Sequence, residues 1–406
     1  MKNYLISLLI LFLLLSSSFL GVSNGKIKGN GYRIQWQHEY GTDWDAGARF
    51  EGPQPIGDCD NDGKNELLIG GNEPNLRVMK WDEGKQTYVQ TRVLHPPFYP
   101  FIKAGCGGFA IGDVTGDGKN EIAATWNAAI YHYFVGRYWL VGLNPWIFRH
   151  GGASADCYIG DCDNDGKNEL IVCGGPYSEN STIPLIVIYK WNGWRLIKIA
   201  SWDNNSIPPR PGEPRCIYML GLNDVDNDGL NEIVCTYANK VFVLKWNMQN
   251  HKFNSTMIFE HPYDPNNSTD EPFSVVCKDC DNDGKSEILL GYFTPHITIL
   301  KWNGTGYELQ ADIKWPGADH GVIEGIDVWD VDDDGKNEVC VGTGVVHILQ
   351  WNGTTYAEEA VLSTYGLLSV VAIGDCDNDG RNEINVANVG VIPGQQYMEW
   401  VFKFEW

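Results

Sequence analysis

Short apolar runs recur along this chain in a fixed order. One run enters an acidic segment, as in LLSVVAIGD (Leu367 to Asp375), and a second leaves it, as in LLIGG (Leu67 to Gly71) and IVCTY (Ile233 to Tyr237). A third run ends on an aromatic residue: LIVIYKW (Leu185 to Trp191), VFVLKW (Val241 to Trp246), HITILKW (His296 to Trp302) and VVHILQW (Val345 to Trp351). Asn-Gly follows at 192–193, 303–304 and 352–353, a pair that predicts a two-residue hairpin turn. A fourth run then begins, such as YELQADIKW (Tyr307 to Trp315). Runs this short, rich in β-branched and aromatic residues, predict strands. Four per period with no long amphipathic helix predict an all-β propeller of four-stranded sheets.

The acidic segment sets the period. Seven copies of one nine-residue string begin at Asp58, Asp113, Asp161, Asp224, Asp279, Asp330 and Asp375, at intervals of 55, 48, 63, 55, 51 and 45 residues. A repeat of about 50 residues is the scale of one propeller blade, so seven copies predict seven blades. The run YRIQWQHEY (Tyr32 to Tyr40) precedes the first copy without a sheet of its own, and the chain ends in YMEWVFKFEW (Tyr397 to Trp406). Pairing these two runs would complete the last blade and close the ring, which removes free sheet edges. Residues 1–25 stand apart as a leader, and 26–406 form the propeller.

Oxygen chemistry follows from the spacing. Acids stand at positions 1, 3, 5 and 9 of the string, and Gly at position 6 permits a sharp turn that would aim the carbonyl of position 7 inward. Ca²⁺ takes six to eight oxygens in a flexible cage, whereas Mg²⁺ demands a smaller octahedral one. The candidate ligands are Asp58, Asp60, Asp62, Lys64 and Glu66 in the first copy, and Asp113, Thr115, Asp117, Lys119 and Glu121 in the second. They are Asp161, Asp163, Asp165, Lys167 and Glu169 in the third, and Asp224, Asp226, Asp228, Leu230 and Glu232 in the fourth. Asp279, Asp281, Asp283, Lys285 and Glu287 form the fifth; Asp330, Asp332, Asp334, Lys336 and Glu338 form the sixth. Asp375, Asp377, Asp379, Arg381 and Glu383 complete the set. Position 7 would contribute only its backbone carbonyl. Thr115 supplies one charge fewer, which makes the second copy the weakest expected site. These positions hold 27 of the chain's 52 acids; packed together they would repel without a cation. Up to seven structural Ca²⁺ are therefore expected, each stabilising the fold by roughly 1.8 kcal/mol at extracellular calcium levels.

Composition narrows the partners. The net charge of −22 argues against nucleic acid or an anionic membrane, since either needs basic patches. Lys2, the apolar run Leu5 to Leu15 and small residues to Gly25 read as a secretory signal, or as an uncleaved anchor over Leu5 to Val22. Sequons at Asn180, Asn204, Asn254, Asn266, Asn267, Asn303 and Asn352 suit a secreted glycoprotein. Cys59, Cys162, Cys280 and Cys376 fall at position 2 of the strings, where other copies have Val, and are expected to be small buried apolar groups. Cys157 with Cys173 is a candidate disulfide. Trp81, Trp191, Trp246, Trp302 and Trp351 recur at one place in the period, as inter-blade packing or as sugar-stacking platforms. His95, His150, His261 and His320 fall in the connections between blades, where they could line a channel mouth. No nucleophile elbow, zinc-protease helix, phosphate loop or dinucleotide fingerprint is present, so no catalytic residues are assigned.

The strings resemble those of FG-GAP, or integrin-alpha-type, repeats (VCBS-like), whose motif is Asp-x-Asp/Asn-x-Asp-Gly-x-x-Asp/Glu. The segments GGFAIGD (Gly107 to Asp113), Gly-Gly-Pro at 174–176 and Gly-Gly-Asn-Glu-Pro at 70–74 add to the likeness. The resemblance implies a seven-bladed propeller with Ca²⁺ held between the first two strands of each blade. Two features depart from it: all seven blades carry the string, and position 9 is always Glu. The expectation is a secreted or cell-surface, calcium-stabilised adhesion scaffold, monomeric, with an extracellular protein or glycan ligand. A propeller lectin and a polysaccharide-lyase-like enzyme are the alternatives.

Overall fold

A computed structural model describes residues 31–42, 54–71, 74–102, 107–126, 128–144, 152–176, 184–203, 216–262, 270–316, 321–366, 368–389 and 395–405. Residues 1–25, expected to be a leader, and Asn180, Asn204, Asn266, Asn267, His150 and His320 lie outside them. The first strand, β1 (Tyr32–Gly41), belongs to the last sheet. Blade I is β2 (Ile56–Gly57), β3 (Glu66–Ile69), β4 (Leu76–Asp82) and β5 (Thr87–Leu94); blade II is β6 (Phe109–Gly112), β7 (Glu121–Ala124), β8 (Ala129–Phe134) and β9 (Arg137–Gly142). Blade III is β10 (Gly152–Gly160), β11 (Glu169–Pro176), β12 (Ile186–Trp191) and β13 (Leu196–Trp202); blade IV is β14 (Leu220–Asn223), β15 (Glu232–Tyr237), β16 (Lys240–Asn247) and β17 (Lys252–Glu260). Blade V is β18 (Pro272–Lys278), β19 (Glu287–Tyr292), β20 (His296–Trp302) and β21 (Tyr307–Lys314). Blade VI is β22 (Ile326–Trp329), β23 (Glu338–Gly342), β24 (Val346–Trp351) and β25 (Tyr356–Leu362); blade VII is β26 (Leu368–Gly374), β27 (Glu383–Val389) and β28 (Tyr397–Phe404) with β1 outside. Each sheet runs in simple up-and-down order. The fold is the expected all-β, seven-bladed propeller.

Packing explains the sequence pattern. Each sheet is covered on both faces by its neighbours, so second strands such as β15 and β19 are buried throughout and read as continuous apolar runs. Ile171 and Ile188 of blade III share one core with Ile233, Phe242 and Leu244 of blade IV. Leu289 and Ile299 of blade V do the same with Val339 and Leu349 of blade VI. Each fully buried aliphatic side chain contributes about 1.5–3 kcal/mol, and the core lies between blades. The ring is closed at both its inner and outer edges. A Cβ on Gly374 of β26 would sit 3.0 Å from Ile56 of β2, so blade VII meets blade I by close backbone approach. Outside, β1 pairs antiparallel with β28, from Tyr32 opposite Phe404 to Gly41 opposite Tyr397.

Three local expectations need correction or sharpening. The Asn-Gly hairpins close with four residues: Trp191 pairs with Leu196, Trp302 with Tyr307 and Trp351 with Tyr356. The reason is the asparagine side chain, which replaces a backbone acceptor in the turn. Asn303 Oδ1 accepts from the Thr305 and Gly306 amides, both at 3.0 Å, and Asn352 Oδ1 accepts likewise from Thr354 and Thr355. The Cys157–Cys173 disulfide does not form, because Cys157 stands opposite Val172 and Cys173 opposite Asp156. Adjacent registers point to opposite faces, and the two thiols enter different cores. All ten cysteines among the described residues are free thiols. The recurrent tryptophans pack on their hairpin partners: Trp81 on Tyr88 and Trp302 on Tyr307, each at 5.0 Å between ring centres.

Candidate functional site

All seven acidic strings join the first strand of a blade to its second and build the same loop. Position 4 takes a left-handed backbone in every copy: Asn61, Asn164, Asn227, Asn282, Asp333 and Asn378 have φ near 60°, and the second copy has Gly116 at 74°. Asn and Asp tolerate this region better than other residues with a side chain. The glycine at position 6 is left-handed too, as at Gly63 with φ 86°.

The acids then divide their work. In the first loop Asp58 faces the backbone: Oδ1 accepts from the Asp62 amide at 3.1 Å and Oδ2 from the Gly63 amide at 2.9 Å. Glu66 Oε2 accepts from the Cys59 and Asp60 amides at 3.0 and 3.2 Å. Cys59 Sγ adds a third donor at 3.2 Å, so the position-2 cysteine is both buried filler and a support for the glutamate. Asp62 Oδ1 accepts from the Lys64 amide at 3.0 Å, so Asp62 Oδ2, Glu66 Oε1 and both oxygens of Asp60 remain. Asp60 Oδ1 is buried without a hydrogen bond, and one oxygen from each of the three residues converges.

A lysine fills the point of convergence. Lys80 Nζ lies 2.8 Å from Asp60, 2.6 Å from Asp62 and 3.0 Å from Glu66. Lys190 lies 2.8 Å from each of Asp163, Asp165 and Glu169. Lys245 meets Asp226, Asp228 and Glu232 at 2.5, 2.7 and 3.5 Å, and Lys403 meets Asp377, Asp379 and Glu383 at 2.5, 2.7 and 2.8 Å. Lys301 contacts Asp281, Asp283 and Glu287 in the same way. Each lysine comes from the third strand of its own blade, one residue before the aromatic that ends the run. Two blades differ. Blade II has His132 there, with Nδ1 2.6 Å from Glu121, and Thr115 Oγ1 donates to the same Glu121 oxygen at 3.1 Å. Blade VI has Gln350, whose amide donates to Asp334 at 2.9 Å and to Glu338 at 2.8 Å.

Titration follows from this geometry. Burial alone would lower the ammonium pKa, but the three carboxylates raise Lys80, Lys190, Lys245, Lys301 and Lys403 above the ordinary lysine range. Burial would raise Asp62, Asp165 and Asp379, yet their lysine hydrogen bonds hold them below the usual carboxylate range. The glutamates respond chiefly to burial; Glu232, Glu338 and Glu383 are pushed up to about 7.

A resident calcium is tested against the same atoms. It would need six to eight oxygens at about 2.3–2.6 Å. In five blades the three inward oxygens already hold an ammonium, and both oxygens of the position-1 aspartate are taken by backbone amides. Those five loops, as they stand, do not fit a bound calcium ion.

Positions 4 and 8, which sequence reading passed over, join four pairs of neighbouring loops. Asn61 Oδ1 accepts from the Asn120 amide at 2.7 Å and Asn61 Nδ2 donates to Asn120 O at 3.0 Å, while Asn120 Nδ2 donates to Asp58 O at 2.9 Å. The same exchange links Asn164 to Asn231, Asn282 to Asn337, and Asn378 to Asn65. The last pair crosses the ring closure. Of the four connection histidines, the two among the described residues have separate partners: His95 stacks on Tyr99 at 4.2 Å, and His261 Nε2 contacts Asp270 at 3.1 Å beside the next blade.

Comparison with known proteins bears on this loop directly. The FG-GAP-like repeat model matches residues 224–290, which span the fourth and fifth strings. The chain carries FG-GAP-like repeats. A model described as KICSTOR complex protein kaptin matches residues 263–361, overlapping these repeats. The mouse KICSTOR complex protein ITFG2 is 24% identical over 217 residues, a stretch covering 44% of this chain and 44% of that protein. The match thus spans less than half of the curated relative's length. Among solved structures, BBS1N in complex with ARL6DN superposes over 92% of this chain and 97% of its own, with a TM-score of 0.59 at 13% identity. The Dos1 propeller superposes over 84% and 78%, with a TM-score of 0.50 at 10% identity. These two are likenesses of fold. The sequence matches are to proteins named as members of a complex, and that finding overturns the expected secreted or cell-surface location and the expected extracellular protein or glycan ligand. Together the FG-GAP-like repeats and the superposable structures agree with the propeller fold.

Proposed function

We propose that this chain is a non-catalytic propeller subunit of a KICSTOR-type protein assembly, holding partner subunits on its blade edges. One observation carries the reading beyond the likeness to complex members. The outer strand of blade II, β9, exposes Trp139, Leu140 and Val141 in succession, at 46%, 44% and 38%. No other outer strand among the described residues has three exposed apolar residues in a row: in β17 Met257 is exposed but Ile258 and Phe259 are half-buried, while β5 exposes Arg92, β13 Lys198 and β25 Glu358 and Glu359. Phe134 and Val135, at 58% and 77% exposed, extend the patch around the hairpin. An outermost strand has unpaired backbone groups, and edges of this kind are normally protected by charge. The occupant that fits is an extended apolar segment of a partner subunit, added as a further strand.

Co-expression of the full chain with the other subunits of such a complex from the same organism tests this. Co-elution is expected for the wild type, and loss of it for L140E/V141K with an unchanged melting curve. No co-elution of the wild type, or its persistence in the variant, would contradict the reading.

A further inference from the structure

We propose that in blades I, III, IV, V and VII the cation of the acidic loop is the chain's own lysine ammonium, so that these five loops are closed without metal. This departs from what the repeat family's motif implies, and it does not depend on the assembly proposed above.

The stoichiometry of donors supports it. An ammonium carries three N–H donors and no acceptor, and each loop offers it one oxygen each from positions 3, 5 and 9. The second position-3 oxygen accepts a backbone amide in blades V and VII, from Asp283 and Asp379, whereas Asp60, Asp163 and Asp226 each keep one buried oxygen without a hydrogen bond. Five loops in separate sheets arrive at the same arrangement from the same third-strand position: Lys80 and Trp81, Lys190 and Trp191, Lys245 and Trp246, Lys301 and Trp302, Lys403 and Phe404. In blade V the register fixes the reach, with Ile288 opposite Leu300 and Lys301 the next residue along β20. The backbone therefore delivers the side chain to the loop, and a tethered cation has no translational freedom to lose on binding.

The neighbours reinforce the lysine. Gln35 of β1 donates to Asp377 Oδ2, and Gln310 of β21 donates to Asp281 Oδ2, each at 2.5 Å. These are the position-3 oxygens that Lys403 and Lys301 also hold, so the acceptors are fully used. A calcium ion entering such a loop must expel the ammonium into solvent and break these bonds. It must also recruit at least three more oxygens.

The test is amine acylation of the full chain, read lysine by lysine by mass spectrometry, with chelator and again with millimolar calcium. A raised lysine pKa lowers the reactive amine fraction about tenfold per unit. Lys80, Lys190, Lys245, Lys301 and Lys403 are therefore expected to react at least about tenfold more slowly than loop lysines such as Lys64 and Lys167, equally under both conditions. Calcium that raised any of the five to the loop-lysine rate would overturn the proposal for that blade, as would equal rates in chelator. A gain-of-binding arm is independent of these rates. K301Q is expected to bind one calcium ion more per chain than the wild type, and Q350K none more. K301Q without added binding would overturn the exchange of ammonium for metal. If K301Q does not fold, H132K serves, with a higher melting temperature expected and a lower one contradicting.

Discussion

Blades V and VI have nearly the same acidic loop and opposite solutions to its charge. In blade V Lys301 sits among Asp281, Asp283 and Glu287. In blade VI the equivalent residue is Gln350, which offers Asp334 and Glu338 only neutral amide hydrogens. The loops keep one shape regardless: Asp279 Oδ2 accepts from Gly284 at 2.8 Å and Asp330 Oδ2 from Gly335 at 2.9 Å. Backbone hydrogen bonding therefore forms the loop, and the third-strand residue decides how its remaining charge is balanced.

The comparison breaks first at the most buried lysine. Removing one partner of a buried ion pair leaves uncompensated charge and costs about 3–5 kcal/mol. K403Q, at a side chain only 10% exposed, is expected to lose about that much in denaturant unfolding, whereas Q350A in blade VI should lose on the order of 1 kcal/mol. Equal losses would remove the distinction between the blades.

A pH series sharpens it. The five lysines have folded pKa values above the unfolded value, so their contribution is full below about 10.4 and is lost only as pH rises through the folded value. The stability gap between wild type and K301Q is expected to stay constant from neutral pH to about 10 and to narrow above that. Glu338 behaves oppositely: its folded pKa of about 7 exceeds the unfolded one, so the stability it contributes falls as pH rises from about 4.3 to 7. E338Q is expected to flatten that slope, and an unchanged slope would show that Glu338 does not titrate there.

Smaller effects follow. Q350K gives blade VI the same ammonium and is expected to raise the melting temperature by about 2–4 °C, with a decrease contradicting the equivalence of the loops. N231A removes the amide exchange with Asn164 and should cost on the order of 1 kcal/mol, whether or not calcium is present.

Much of this was legible in the sequence, and the failures have physical causes. Seven sheets, the loop positions and the closing pair of Tyr32 to Tyr40 with Tyr397 to Trp406 follow from periodicity, because strand alternation and turn residues are local signals; the observed strand ends at Phe404. The lysines were visible as a Lys-aromatic pair recurring in five blades. Their role was not, because it depends on a register that brings residue 301 beside residue 281. The asparagines at positions 4 and 8 were opaque for a similar reason: each partner stands on the neighbouring blade, 59 residues away in the case of Asn61 and Asn120. The apolar run at Leu5 to Leu15 pointed to a secreted protein, and the similarity to KICSTOR complex members overturned that reading.

Native mass spectrometry of the full chain equilibrated with millimolar calcium counts the ions directly. Lysine-closed loops predict no more than two bound calcium ions per chain, confined to the blades of His132 and Gln350; three or more would contradict them.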